Sequence, residues 1–160
     1  MISVSLRRAG YRCAYMLLRA YWFIVRPQVA GAVCLLVHDQ ALLLIRNTYG
    51  RQGWTLPGGM LQRREPPAVG VQREVQEEVG ITLETVHKVG EFTGRQAYRH
   101  DTVHVFVAHV PNGTVELDPG EILEARWCPV ADLPPLASYA QRAIHLWQRS
   151  STASADAQRP

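Results

Sequence analysis

Lysine is almost absent from this chain: of its 17 basic side chains only Lys88 is not an arginine. The net charge is just +3, at a pI near 9.0. That excess is too small to argue for binding along a nucleic-acid backbone. Arginine does suit two-point contacts to phosphate. Cysteine is scarce too. Cys13, Cys34 and Cys128 are scattered and odd in number, which argues against a disulfide framework and against a thiolate metal site. A reducing, cytoplasmic setting is the simplest expectation. Long apolar runs are also missing. The stretch from Cys13 to Val25 is interrupted by Arg19 and is too short to span a bilayer. No small-residue cleavage site follows it, so it makes a poor signal peptide. There is no internal repeat.

What is present fits one compact domain. A chain of 160 residues with 47% hydrophobic content can bury a sizeable core. The organisation reads in three pieces. Residues 1 to 26 form an N-terminal extension, 27 to 149 the domain, and 150 to 160 a polar tail expected to be disordered. In the extension, Leu6, Tyr11, Ala14, Tyr15, Leu17, Leu18, Tyr21, Trp22 and Val25 recur mostly at spacings of three and four, which predicts a helix. Arginines 7, 8, 12, 19 and 26 are interspersed. Two readings stand: an accessory helix packed on the domain or on a second copy in a homodimer, or a basic amphipathic helix lying on an anionic membrane surface.

Within the domain, Val29 to His38 and Ala41 to Arg46 read as strands of a hairpin across Asp39-Gln40. Trp54-Thr55-Leu56 leads into a glycine turn at 58–59. Strands are expected over Leu83 to Phe92, Thr102 to Val110 and Ile122 to Pro129, with a turn at Pro111-Asn112-Gly113. Helical spacing returns between Leu136 and Arg149. Strands in a mixed sheet with helices on both sides give the fold class: an α/β/α sandwich, carrying an N-terminal accessory helix.

The densest information lies between residues 59 and 81. Pro66 and Pro67 suit the first turn of a helix, where a missing N–H costs little. Val71, Val75 and Val79 recur every four residues and form one buried stripe, and Gly80 is a helix stop. On that helix Glu74, Glu77 and Glu78 stand at i, i+3 and i+4 and share a face. Carboxylates that close repel one another unless a cation sits among them. Oxygen-only ligands favour a hard ion, Mg2+ or Mn2+, which typically binds one or two carboxylates together with substrate phosphates. The plainer alternative is a solvated acidic face paired with Arg63, Arg64 and Arg73.

The full pattern runs Gly59, five residues, Glu65, seven residues, Arg73-Glu74-Val75, Gln76, Glu77-Glu78, Val79, Gly80-Ile81. It resembles the signature of the Nudix hydrolases, with every specified position filled. The resemblance spans about Val29 to Trp147, although only this segment is specific. It implies a metal-dependent hydrolase that cleaves the diphosphate linkage of a nucleoside diphosphate derivative or a nucleoside triphosphate. It implies that Glu77 and Glu78 are metal ligands, that Glu74 is a ligand or the general base, and that the Gly58 carbonyl is a further ligand. Arg73 and Glu65 are implied to pair and hold the glycine loop against the helix. The chain departs from a common pattern at two positions. Gln62 replaces a carboxylate, and Arg64 replaces a glycine, which puts a left-handed turn there in doubt.

Outside this segment the sequence offers weaker cues. Arg46 is a candidate phosphate contact, against a surface salt bridge. Tyr49 and Trp54 are candidates to stack a base, with core packing the stronger expectation for Trp54. The resemblance implies one more carboxylate from the loop before Arg126-Trp127, and Glu121 is the choice for it, against an ordinary surface position. Tyr98 lies at an offset associated with relatives that cleave dinucleoside polyphosphates. His100 and His104 are assigned no catalytic role. The expected partner is a nucleotide or another small molecule linked through a nucleoside diphosphate. Removal of pyrophosphate from RNA 5′ ends is permitted by the charge but not supported by it. A non-catalytic nucleotide sensor is the rival from another class, and the intact carboxylate run counts against it.

Overall fold

The apolar run of the first strand is nearly continuous because both of its faces are covered. The computed structural model describes residues 4–25, 28–49, 53–96 and 99–156. In β1 (Gln28–His38), Ala32, Cys34 and Leu36 belong to one core, while Val33, Leu35 and Val37 belong to the other. The same alternation splits β2 (Ala41–Asn47), with Leu43 and Ile45 on the first side and Leu42 and Leu44 on the second. The two strands pair antiparallel through Val37–Leu42 and His38–Ala41. Asp39 and Gln40 both take positive φ, 45° and 62°, as a two-residue hairpin turn of matching twist requires.

The sheet follows the order β4-β5-β1-β2-β6, with β4 at His87–Gln96, β5 at Arg99–His109 and β6 at Ile122–Pro129. The β1–β5 pairing is parallel and the other pairings along this path are antiparallel, so the sheet is mixed. A short strand not foreseen from the sequence, β3 (Gly58–Met60), pairs antiparallel with β1 through Gly31–Met60, Ala32–Gly59 and Val33–Gly58. The glycine turn is thus stitched to the centre of the sheet. Residues 83–86, expected to open a strand, precede β4 instead; Leu83 packs into the core beside α2 (Pro67–Val79).

Helices cover both faces, giving the α/β/α sandwich. Val71, Val75 and Val79 of α2 are fully buried, each contributing about 1.5–3 kcal/mol of apolar burial. Gly80 ends the helix in the left-handed conformation at φ 71°. On the opposite face, α3 (Ser138–Asp156) buries Ala140, Ala143 and Ile144. It runs to Asp156, so the polar tail expected from residue 150 contributes its first residues to the helix.

The predicted N-terminal helix is present as α1 (Val4–Val25). It turns Arg7, Arg8 and Arg12 toward the domain, where each donates to it, and leaves Met16, Leu17 and Tyr21 exposed. Among the described residues, no helix is long and apolar enough to cross a membrane.

Candidate active site

Two glycines set the backbone of the site. Gly58 sits at φ 138°, which L side chains rarely adopt, and a Cβ there would collide with the Ala32 carbonyl and the Val33 Cα. A Cβ on Gly59 would run into the Glu74 carboxylate. The β3 backbone therefore lies directly on the acidic face of α2.

Glu78 is the deepest of the acidic residues, with 3% of its surface exposed. Its Oε2 accepts the Gly58 N–H at 2.7 Å. Burial raises its pKa well above the ordinary carboxylate value; the Gly58 N–H opposes the rise, and Glu74, Glu121 and Glu77 add to it. Glu74 is also raised, chiefly by burial, with Arg73 pulling it down and Glu77 and Glu121 pushing it up. Glu121, which precedes β6, adds to the rise of both.

Arg73 is the hub of the site. Its Nε and Nη2 bind the two Glu65 oxygens at 2.9 and 3.0 Å, and Nη2 also reaches the Met60 carbonyl at 3.3 Å. Its Nη1 donates to Glu74 at 2.7 Å and to Glu77 at 2.9 Å. The guanidinium pKa is raised, with Glu65 the largest cause. Glu65 is held below the usual carboxylate range by Arg73 and by the Gln62 N–H, which donates to it at 2.7 Å. The sequence led to the Arg73–Glu65 pair; it did not show that one guanidinium also neutralises Glu74 and Glu77. Of the alternative partners for the acidic face, Arg63 and Arg64 are exposed.

The doubt raised by Arg64 is overturned. Arg64 takes φ 64°, so the left-handed turn forms without a glycine. The reason is Glu65: its N–H bonds the Gln62 carbonyl at 3.1 Å while its carboxylate binds both the Gln62 N–H and Arg73. Those bonds outweigh the side-chain cost of about 1–2 kcal/mol for the left-handed region.

The other candidates are distributed differently. Arg46 forms an ion pair with Glu124 at 3.1 Å and lies over the Trp54 ring, which Arg126 also covers. Trp54 packs against the α3-side core, in line with the stronger of its two expectations. Tyr49 stacks on Tyr11 of α1, ring centroids 6.0 Å apart, and its phenol is raised by burial and by Glu121, Glu78 and Glu74. His104 pairs with Glu91 at 3.1 Å. Tyr98 and the side chain of His100 lie outside the described residues. Sequence reasoning missed Tyr11, Thr48 and Asp118, which border Glu121; no local spacing carries such long-range contacts.

The donor set suits a hard cation. The acidic groups of this face, Glu74, Glu77 and Glu78, offer only oxygen, and among the described residues Glu78 accepts from the Gly58 N–H rather than from a guanidinium. Among the described residues no three potential ligands stand together as a ready-made cation site, and Glu74 and Glu77 are both turned to Arg73.

A mixed-sheet sandwich with a carboxylate-bearing helix behind a glycine strand defines a class of hydrolase. A sequence model of the NUDIX domain matches residues 26–148, so the chain belongs to the Nudix family. It is 33% identical over 133 residues to a NAD-capped RNA hydrolase, NudC, of Deinococcus radiodurans, covering 78% of this chain and 44% of that protein. A NudC of Shigella flexneri is 32% identical over 123 residues, covering 74% and 47%. The chain therefore spans less than half the length of these two relatives. Among solved structures, a MutT Nudix hydrolase from Burkholderia pseudomallei aligns with a TM-score of 0.68 at 29% identity, over 74% of this chain and 97% of that one. The Nudix domain of Shewanella oneidensis NrtR, complexed with ADP ribose, aligns with a TM-score of 0.64 at 19% identity, covering 78% and 88%; at that identity it speaks for the fold alone.

Proposed function

We propose that this protein is a metal-dependent hydrolase that cleaves the diphosphate linkage of a nucleoside diphosphate derivative or nucleoside triphosphate. The observation that carries the reading is the carboxylate face of α2 against the glycine strand, with Glu78 buried on the Gly58 N–H at 2.7 Å and Glu74 lying against Gly59. Glu74, Glu77, Glu78 and the Gly58 carbonyl would hold Mg2+ or Mn2+. Such an ion, when bound, neutralises charge developing on the phosphates and acidifies a water. The chain supplies the rest. Arg73, locked on Glu65, fixes the rotamers of Glu74 and Glu77 around the diphosphate. Glu74, raised by its burial, is suited to take a proton from the attacking water. Gly58 and Gly59 let the β3 backbone lie flat against β1 and the Glu74 carboxylate, which a side chain at either position would prevent. Water attacks one phosphorus and the other phosphate departs, giving two phosphate-bearing fragments.

A second reading is favoured by the relatives: the diphosphate within an NAD-type cap at an RNA 5′ end. Dinucleoside polyphosphates stay in contention without an argument from Tyr98. A cytoplasmic setting belongs to the same reading, and Cys13, Cys34 and Cys128 are all free.

The deciding experiment is release of phosphate, pyrophosphate or nucleoside monophosphate with Mg2+ or Mn2+. The panel holds nucleoside triphosphates, ADP-ribose, nucleotide sugars, NAD, dinucleoside polyphosphates, and triphosphorylated or NAD-capped RNA. Glu78→Gln is the control. Metal-dependent cleavage of one class, lost in the variant, establishes the reaction. A folded, metal-binding protein that cleaves none of them shifts the reading to nucleotide sensing.

A further inference from the structure

α1 has two unlike sides. The inner side is polar and engaged with the domain. Arg7 donates to both carboxylate oxygens of Asp118, at 3.0 and 2.9 Å. Arg8 donates to the Pro119 carbonyl at 2.9 Å, and Arg12 to the Thr48 carbonyl at 3.2 Å. Tyr11 stacks on Tyr49, ring centroids 6.0 Å apart. The outer side is apolar and exposed. Met16 is 68% exposed, Leu17 69% and Tyr21 53%. Among the described residues, four of the seven exposed large apolar side chains lie on this one helix, between Met16 and Tyr21. That concentration marks an interaction surface, where single exposed apolar residues would need no explanation.

Spacing gives the surface its shape. Ala9, Cys13, Met16 and Ala20 follow one another at four, three and four residues, the period of a seam between two helices. Gly10 and Leu17 flank that seam, and all six are exposed. The face has a narrow half at Ala9, Gly10 and Cys13 and a bulky half at Met16 and Leu17. Gly10 lies inside the helix, where glycine is less favourable than alanine. Its φ is not positive, and a Cβ added there meets nothing within 4 Å. The chain's own fold therefore gives no reason for a glycine at this position. Close approach of another backbone gives one.

We propose that this face docks a second copy of the chain, the two α1 helices packing antiparallel. Three observations select that occupant. The face is uncharged: Arg7, Arg8 and Arg12 are turned to the domain, so it offers no cation to an anionic partner or membrane. It is self-complementary, because a two-fold axis near Cys13 sets Met16 and Leu17 of each copy over Gly10 and Ala9 of the other. It is also long enough. At 1.5 Å per residue the 22 residues of α1 make a rod about 33 Å long, and two such rods bury on the order of 1,000 Å2, about the least a specific interface needs. The domains lie on the far sides of the pair, where the arginines hold them. The inference concerns association and does not depend on the reaction proposed above.

The test uses the full chain in analytical ultracentrifugation, with a short bis-maleimide as cross-linking probe. The mass is expected to rise from 18.0 kDa toward twice that value at roughly micromolar chain concentration, in keeping with so small an interface. Of the three cysteines only Cys13 is exposed, so the reagent reads one position. It is expected to join Cys13 to the partner's Cys13, detected as the linked peptide pair by mass spectrometry. Leu17→Glu places one charge per copy in the seam. It is expected to raise the dissociation constant about a hundredfold or more and to abolish the cross-link. Gly10→Leu enters open space in the single chain and blocks only the approach of the second. It is expected to keep the Tm of the dilute monomer and to raise the dissociation constant about tenfold or more. An unaltered chain that is monomeric at about 100 µM overturns the proposal, since any specific interface of this size binds more tightly. A dimer that either variant leaves intact, or one without the Cys13 cross-link, overturns it as well. So does a monomeric chain that sediments with phosphatidylserine-containing vesicles and loses that binding in Leu17→Glu, which assigns the face to a membrane instead.

Discussion

Glu78 accepts the amide hydrogen of Gly58 at 2.7 Å, which makes the acidic helix and the glycine strand one unit. The bond opposes, without cancelling, the burial that raises the Glu78 pKa. In metal-free protein the folded chain therefore keeps this proton to a higher pH than the unfolded chain does. Between the ordinary carboxylate value and the raised one, the folded state binds more protons, so stability falls as pH rises through that window. Glu78→Gln keeps an oxygen for Gly58 and removes the titration. In EDTA its Tm is expected to exceed that of the unaltered chain above the window and to fall less with pH. Glu74, also raised, leaves part of the slope. On the proposed reading the same variant is expected to lose turnover about a hundredfold or more, because it would remove a charged ligand worth several kcal/mol. Thermal unfolding against pH, with steady-state rates in Mg2+, measures both.

Gly58→Ala is expected to damage stability and activity together. The φ of 138° alone costs a side chain about 1–3 kcal/mol, and the new methyl also meets the β1 backbone. Relief requires β3 to move off β1, which carries the Gly58 N–H away from Glu78. A Tm close to that of the unaltered chain, with full activity, would contradict this account.

How much of this was legible in the chain follows from the range of each interaction. The stripe Val71, Val75, Val79 and the face Glu74, Glu77, Glu78 depend only on helical period, and the structure places both sets on α2. The Arg73–Glu65 pair spans eight residues and came through the family pattern. Arg46 was undecided between phosphate and a salt bridge because its partner is chosen by the β2–β6 register, which sets it opposite Glu124. The contact of Tyr11 with the loop at Gly120 joins residues far apart in the chain, and no periodicity encodes it. Arg64 misled for a different reason: residue preference there is overruled by the bonds that Glu65 makes on either side of the turn.

Arg73→Lys tests the hub. A lysine ammonium cannot hold both Glu65 oxygens and still reach Glu74 and Glu77, because it lacks the planar fork. The glycine loop then loses its tie to α2, and Glu74 and Glu77 lose a fixed partner. Activity is expected to fall roughly 10- to 100-fold, the range for groups that orient metal ligands. Rates across a Mg2+ titration check it. A fall in activity that excess Mg2+ restores places the defect in the holding of the ligands, and unchanged rates remove Arg73 from the site's working parts.

Arg64→Gly addresses the one strained turn in the glycine loop. Arg64 is exposed, makes none of the site's hydrogen bonds described above, and sits at φ 64°. Glycine takes that conformation without the side-chain cost of about 1–2 kcal/mol, but it loses about 0.5–1 kcal/mol through the greater freedom of the unfolded chain. The net expectation is stabilisation of up to about 1 kcal/mol, read as a higher denaturant midpoint at unchanged slope. Activity is expected to stay the same, because Glu65 still closes the turn and binds Arg73. A variant that is less stable than the unaltered chain would show that the arginine side chain contributes more to the turn than its exposure suggests.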